Sequence, residues 1–147
     1  MDTTKQNKIS AILHNQINIK FACLFGSVVK NKTRYGSDID IAIYFESEPD
    51  IIEIGDLVVK LEQATANKID IVKLNNLDKE NPRLAYSILS NCNLIYSGNE
   101  DLFKKFRASV LLQYLDFKFI ADKFDNDFNR RLSSNNFAVF DKWLTTN

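Results

Sequence analysis

The chain has 147 residues, of which 45% are hydrophobic and 26% are charged. A chain of this size and apolar content can bury a substantial core, so the composition excludes a wholly disordered protein and favours a globular one. Lysine and arginine together number 19, as do aspartate and glutamate, which leaves no basic excess to hold DNA or an anionic membrane.

The first third of the chain predicts a helix, a strand, a loop and a second strand. Residues 4–16 form an amphipathic pattern that opens at a capping-box spacing. Residues 19–25 are a short apolar run that stops at Gly26, which is typical of a buried strand. Residues 26–37 are predicted as a loop with at most one helical turn. Residues 38–45 alternate cleanly between polar and apolar side chains, which predicts a strand.

The middle of the chain continues the alternation of helices and strands. Residues 50–66 carry an apolar helical face, and residues 68–74 read as a third strand. Asn81 followed by Pro82 is a typical helix start, so a short helix is predicted over residues 82–90. Residues 93–96 are predicted to be extended.

A long helix is predicted from residue 100 to about residue 129. One apolar stripe repeats every seven residues, and a second lies on another side, so we expect cover on more than one side. The first stripe contains Phe103, Val110, Phe117 and Phe124, with Tyr114, Ala121 and Phe128 four residues further on; the second contains Leu112, Leu115 and Phe119. The polar tail after it carries Phe137, Phe140 and Trp143.

These elements predict an α/β fold with a single domain overall. Residues 1–98 form its core, and residues 99–147 form a helical extension that packs on the core, on a partner or on both. No run approaches the roughly 18 apolar residues of a transmembrane helix, and the polar N-terminus lacks the apolar core of a signal peptide. Cys23 and Cys92 are interpreted as buried reduced thiols. We therefore expect a cytoplasmic protein.

Acidic residues interrupt two of the predicted strands. Asp38 and Asp40 are two residues apart and so project from one face, and Asp70 interrupts the apolar run at 68–74. Carboxylates on apolar strands repel one another and lose hydration unless a cation lies among them. If the strands are neighbours, the three carboxylates converge into a Mg²⁺ site of the two-metal kind that serves phosphoryl or nucleotidyl transfer.

The loop before the second strand has features of a phosphate-binding turn. Gly26 lets the backbone approach a phosphate closely, and Ser27 adds a hydroxyl and an amide donor. Lys30, Lys32 and Arg34 could neutralise a triphosphate, although for at least two of these cations a simple solvated loop is the favoured interpretation.

These residues carry a resemblance to a known family. Gly26-Ser27, ten further residues, Asp38-x-Asp40 and a later strand aspartate, Asp70, resemble the signature of the DNA polymerase β-like nucleotidyltransferase superfamily. The variant with Gly36-Ser37 directly before Asp38 is similar to the minimal nucleotidyltransferases called MNT domains, the MntA-type antitoxins of HEPN toxin–antitoxin pairs.

The resemblance implies a nucleotidyltransferase-like mixed β-sheet flanked by helices, with the nucleotide at its edge. Asp38 and Asp40 would hold two Mg²⁺ ions, and Asp70 would hold the catalytic one and help to activate the acceptor hydroxyl. The residues that would bind the triphosphate of ATP are Gly26, Ser27, Ser37, Lys32 and Arg34. The reaction would move AMP from ATP to a hydroxyl group and release pyrophosphate.

The resemblance also implies a partner. In MntA-type proteins the acceptor is a tyrosine of the cognate HEPN ribonuclease toxin, which is thereby silenced, so we expect a hetero-oligomer with such a toxin. The chain is not the toxin itself, because His14 is its only histidine and the Arg-x4–6-His motif is missing.

Three alternatives remain open at this stage. The same acids could serve transfer to a small molecule such as an aminoglycoside, or the chain could neutralise its toxin by masking it without catalysis. The acids could also be salt-bridged surface carboxylates on an edge strand, with Asp70 paired to Lys68 or Lys73.

Overall fold

The computed structural model describes residues 1–30 and 36–134 of the chain. Its strands are β1 (Ile19–Phe25), β2 (Ile39–Phe45), β3 (Ile69–Lys73) and β4 (Asn93–Ser97). Its helices are α1 (Thr3–His14), α2 (Ile51–Thr65), α3 (Leu77–Glu80), α4 (Pro82–Ser90) and α5 (Glu100–Ser133), and a 3-10 turn, Gly26–Val28, follows β1. Among these residues, no helix is both long and apolar enough to cross a bilayer.

The four strands form one mixed sheet in the order β3-β2-β1-β4. Strand β1 pairs antiparallel with β2 on one side and with β4 on the other, whereas β2 and β3 are parallel. A parallel pair needs a crossover connection, which α2 supplies. The predicted mixed sheet flanked by helices is therefore confirmed.

Each face of the sheet is buried by its own set of helices. The strict alternation along β2 sends Ile39, Ile41 and Ile43 to one face, where Ile9 and Leu13 of α1 and Leu57 and Leu61 of α2 complete the core. The other face is covered by α3, α4 and the first part of α5. This second cluster contains Phe21, Cys23, Ala42, Leu74, Leu77, Ala85, Ile88, Leu89, Phe103, Phe106 and Val110.

The two cysteines share this second face. Cys23 is fully buried and Cys92 is half-buried, so the interpretation of both as buried thiols is right for the first and only partly right for the second. A hydrogen bond between the two side chains, together with burial, raises the pKa of the Cys23 thiol. Both thiols are free.

The helix boundaries differ from the predicted ones at three places. Asp2 caps α1 by accepting a hydrogen bond from the Thr4 amide, and the helix ends at His14 instead of residue 16 because the chain must turn into β1. The short helix α3 was not predicted from the sequence. It follows Asn76, which adopts a left-handed backbone conformation, and the pattern of apolar residues gives no sign of that conformation. Helix α5 continues to Ser133.

Helix α5 is covered on one side of its first part only. Phe103, Phe106 and Val110 are buried against the sheet, but the second predicted stripe is exposed, so the expected cover on more than one side is absent from the part of the chain described. The exposed apolar residues of α5 are Leu111, Leu112, Leu115, Phe117, Phe119, Ile120, Phe124, Phe128 and Leu132. The tail aromatics Phe137, Phe140 and Trp143 lie outside the described residues.

The anchoring of α5 gives a test of this fold. Phe106 is 8% exposed, and its ring lies 5.1 Å from that of Tyr44 and 5.9 Å from that of Phe21. We expect Phe106→Ala to lower the free energy of unfolding by about 3–5 kcal/mol, because the truncation leaves a cavity between α5 and the sheet. Phe119→Ala, on the exposed stripe, should cost less than about 1 kcal/mol. Urea unfolding followed by circular dichroism measures both, and equal losses would contradict this packing.

Candidate active site

The predicted site residues lie at one end of the sheet. Asp40 of β2 is in register with Asp70 of the parallel strand β3, so both side chains project from the same face of neighbouring strands about 4.8 Å apart. On the other side of β2, Asp40 is in register with Phe25, the last residue of β1 before Gly26. Asp38 lies two residues before Asp40, at the entrance to β2. The structure thus brings together the acids and the glycine that the sequence singled out.

The Gly26 backbone approaches Asp40 more closely than any side chain would allow. Gly26 has a φ of +74°, a left-handed conformation that favours glycine. A Cβ atom at this position would overlap the carboxylate oxygen Oδ2 of Asp40. The 3-10 turn that Gly26 opens is therefore held directly against a carboxylate, and a larger residue here would require the Asp40 side chain to move.

The three carboxylates concentrate negative charge at this edge. Asp40 is half-buried, while Asp38 and Asp70 are exposed. Burial raises the pKa of the Asp40 carboxyl, and the charges of Asp70 and Asp38 raise it further. The alternative in which Asp70 forms a salt bridge with Lys68 or Lys73 is not seen among the described residues. The Lys73 ammonium pairs with Glu48 instead. The site carries a charge cost that a bound cation would relieve.

The donor set fits a hard cation such as Mg²⁺. Its oxygen ligands are carboxylates, and Mg²⁺ commonly binds through one or two carboxylates plus substrate phosphates. Nowhere in residues 1–30 and 36–134 are three or more acidic, histidine or cysteine side chains placed closely enough to form a complete metal cage. In this part of the chain the three acids do not form a metal site by themselves, so a bound Mg²⁺ would need further oxygen ligands such as substrate phosphates.

The residues proposed to contact phosphate are less uniformly placed. Ser27 is half-buried within the 3-10 turn, whose N-cap position is occupied by Phe25 and not by Ser27. Ser37 is half-buried next to Asp38. Lys30 is exposed after the turn. Lys32 and Arg34 lie outside the described residues.

One residue that positions the site was missed by sequence reasoning. The Asn67 side-chain amide donates to the Ser37 carbonyl at 3.3 Å, and its oxygen accepts from the Lys5 ammonium at 2.7 Å. This bridge ties the residue before Asp38 to the start of β3 and to α1. No local pattern marks Asn67, because its two partners are about 30 and 62 residues away in sequence.

Comparisons with known proteins match the chain to one family model and to several solved structures. The model described as Polymerase beta, Nucleotidyltransferase matches residues 7–101. A chain from a crystal structure of a toxin–antitoxin with AMP-PNP has a TM-score of 0.69 at 23% identity, over 84% of this chain and 97% of its own. A chain from a structure of tri-AMPylated Shewanella oneidensis HEPN toxin in complex with MNT antitoxin has a TM-score of 0.66 at 22% identity, over 87% of this chain and 98% of its own.

One structural neighbour matches a smaller share of this chain. The structure of a putative minimal nucleotidyltransferase has a TM-score of 0.50 at 27% identity, over 63% of this chain and 95% of its own. No curated protein sequence matches the chain significantly. Together with the family model, these structures confirm the predicted nucleotidyltransferase-like sheet and family resemblance.

The raised pKa of Asp40 leads to a test by pH. A carboxyl whose pKa is higher in the folded protein than in the unfolded chain destabilises the fold when it ionises. This cost is fully present when the pH is above the pKa of Asp40 in the folded protein. It disappears as the pH falls below the pKa of an aspartate in the unfolded chain, about 3.9. We expect Asp40→Asn, without divalent cations, to raise the melting temperature at pH 7 and to lose this advantage near pH 3.

The control for this measurement is Asp56→Asn, at an exposed position on α2 away from the other acids. It should change the melting temperature little at either pH. A melting temperature for Asp40→Asn at or below that of the wild type at pH 7 would contradict the proposed charge cost.

The close approach at Gly26 has a matched control in Gly36. Both glycines have positive φ, +74° and +84°, but a Cβ at Gly36 would meet no atom within 4 Å. Gly36→Ala should cost about 1–2 kcal/mol of stability from backbone strain alone. Gly26→Ala should cost at least about 1 kcal/mol more, because the Asp40 carboxylate must also move. Denaturant unfolding of the two variants compares them, and equal losses would rule out the contact.

Proposed function

The chain belongs to the polymerase beta nucleotidyltransferase family, and from this membership we propose that it transfers AMP from ATP to a protein hydroxyl, as the antitoxin of a HEPN toxin. The observation that carries the proposal is the contact between the Gly26 turn and the Asp40 carboxylate, with Asp70 in register beside it. A glycine turn held against paired acids supports phosphate binding and metal binding at a single edge.

The acids are suited to hold the metal ions of such a transfer. Asp38 and Asp40 would hold two Mg²⁺ ions, and Asp70 would hold the catalytic one, in keeping with the charge that raises the pKa of Asp40. When bound, Mg²⁺ supplies charge neutralisation at the phosphates and lowers the pKa of a bound hydroxyl. Each acid would therefore act on the substrate from a fixed position on a strand.

The remaining residues would orient the nucleotide and move one proton. Gly26, Ser27 and Ser37 would bind the triphosphate by backbone and hydroxyl groups, joined by Lys32 and Arg34. The acceptor oxygen forms a bond to the α-phosphorus, and the bond between that phosphorus and the pyrophosphate oxygen breaks. Asp70 helps to take the proton of the acceptor hydroxyl. AMP is then joined to the acceptor, and pyrophosphate leaves.

The structural relatives support a choice of acceptor. One related chain comes from a complex of MNT antitoxin with an AMPylated HEPN toxin, and another from a toxin–antitoxin complex with AMP-PNP. We propose the same arrangement here, with a tyrosine of a HEPN ribonuclease as the acceptor. The free thiols of Cys23 and Cys92 suit a reducing compartment, and we propose that the protein acts in the cytoplasm.

The activity is tested with ATP labelled at its α-phosphate, Mg²⁺ and the HEPN protein encoded beside this chain. We expect label on the HEPN protein, and we expect EDTA to abolish the transfer. Asp38→Asn and Asp70→Asn should each slow the transfer by about 100-fold or more. Each variant removes a ligand of the metal ions that would stabilise the negative charge of the transition state. Asp56→Asn, exposed on α2, is the matched control and should transfer at the wild-type rate.

Other outcomes point to the competing functions. If no label reaches the HEPN protein but its ribonuclease is still neutralised by Asp38→Asn, the chain acts by masking. Label on an aminoglycoside in place of the protein would identify a small-molecule nucleotidyltransferase. In both cases the proposed transfer to a tyrosine is wrong.

A further inference from the structure

The apolar stripe that anchors α5 to the sheet continues after the sheet has ended. Phe103, Val110, Phe117 and Phe124 follow one another at intervals of seven residues, so they lie along one side of the helix. Phe103 and Val110 are 9% and 1% exposed, but Phe117 is 39% and Phe124 is 71% exposed. The same stripe is thus buried core at one end of the helix and open surface at the other.

Within residues 1–30 and 36–134, cover of this stripe by the rest of the chain stops at about Phe117. The Tyr86 ring of α4 stacks on Tyr114 with centroids 3.9 Å apart, and the Arg83 guanidinium lies 5.7 Å from the centre of the Phe117 ring. Helix α4 begins at Pro82, directly before these residues. We call the uncovered continuation the distal apolar face. It consists of Phe117, Phe124, Phe128 and Leu132.

The shape of the distal apolar face indicates what kind of structure covers it. Residues 117–132 of a helix are about 24 Å long, which equals four to five helical turns. A seven-residue apolar repeat is the pattern that packs against another helix. Charge does not strongly oppose such a contact, because this segment has three acids and four bases, a net charge of only +1. They are Asp122, Asp125 and Asp127 against Lys118, Lys123, Arg130 and Arg131, with Asp116 just before.

The comparisons indicate which protein would supply the helix that covers the distal apolar face. The catalytic family model ends at residue 101, where α5 has just begun, and the putative minimal nucleotidyltransferase matches only 63% of this chain. The chains from toxin–antitoxin complexes match 84–87%. Because residues 1–99 are about two thirds of the 147, a match over 84% must reach into α5. At least part of α5 is therefore shared with chains from toxin–antitoxin structures.

We propose that the distal apolar face of α5 is the docking surface for a helix of the acceptor protein. The inference rests on the proposed function, since it gives that acceptor a binding surface apart from the aspartates. Contacts far from the reacting atoms hold acceptor and enzyme together before the transfer begins. Their loss should therefore raise the KM for the acceptor and leave kcat nearly unchanged.

The helix offers a closely matched control. Phe119 and Phe124 are the same residue type, lie in the same helix and are both 71% exposed, but they project from opposite sides. We expect Phe124→Asp and Phe128→Asp each to raise the KM for the HEPN protein by about 10-fold or more, with kcat within about 2-fold. Phe119→Asp should leave both values within about 2-fold. Helix content and the affinity for Mg·ATP should stay as in the wild type.

Binding is measured separately from transfer, so that the two proposals fail independently. In the Asp38→Asn background, calorimetry with the HEPN protein should show that Phe124→Asp lowers the binding affinity by a similar factor, about 10-fold or more, and that Phe119→Asp does not lower it. If the wild type binds the HEPN protein but transfers no AMP, the proposed function fails and the docking surface stands. If transfer occurs and Phe124→Asp leaves KM unchanged, or Phe119→Asp raises it equally, the docking surface is wrong.

Two other occupants of the face would also overturn the proposal. A second copy of the chain would make the wild type a dimer that Phe124→Asp converts to a monomer, with unchanged affinity for the HEPN protein. Residues 135–147 would bring the only tryptophan, Trp143, to the face. Phe124→Asp would then shift the tryptophan emission of the protein alone, again with unchanged affinity for the HEPN protein.

Discussion

The contact between the Gly26 backbone and the Asp40 carboxylate is the constraint on which the site depends. It exists because β1 and β2 pair with Phe25 opposite Asp40, so that the turn after β1 begins beside the acid. A shift of one residue in this pairing would send Asp40 into the core face and a core isoleucine into the site. The apolar packing of Ile39 and Ile41 on the opposite face prevents that shift. Core and site are therefore fixed by a single register.

The two faces of the sheet serve different purposes. Helices α1 and α2 close one face with a purely apolar cluster, which holds β2 and β3 side by side and so keeps Asp40 next to Asp70. The face that carries the acids is closed by α3, α4 and the first part of α5. Because α5 is much longer than the sheet is wide, it leaves an apolar surface outside the catalytic core. The catalytic chemistry and the contact with a protein partner are thus assigned to separate parts of the chain.

Most of the fold could be predicted from the sequence because its signals are local. The alternation along residues 38–45 fixed a strand and its faces, and the pairing of Gly26-Ser27 with Asp38 and Asp40 indicated the chemistry before any strand order was known. The pairing of Asp40 with Asp70 could only be supposed, because strand order is a long-range property. Asn67 could not be found at all, since its role depends on Ser37 and Lys5, which only the fold brings near. The burial of α5 was overestimated, because periodicity shows which side of a helix is apolar but not whether another element packs against that side.

The position of β1 inside the sheet has a consequence for protein synthesis. All three aspartates of the proposed site have been translated once the ribosome passes Asp70, but β1 still lacks its second neighbour until β4, Asn93–Ser97, emerges. An unpaired central strand presents its amide and carbonyl groups to any other extended peptide. A polypeptide that ends between these two points would therefore carry every aspartate of the proposed site together with an open, aggregation-prone edge.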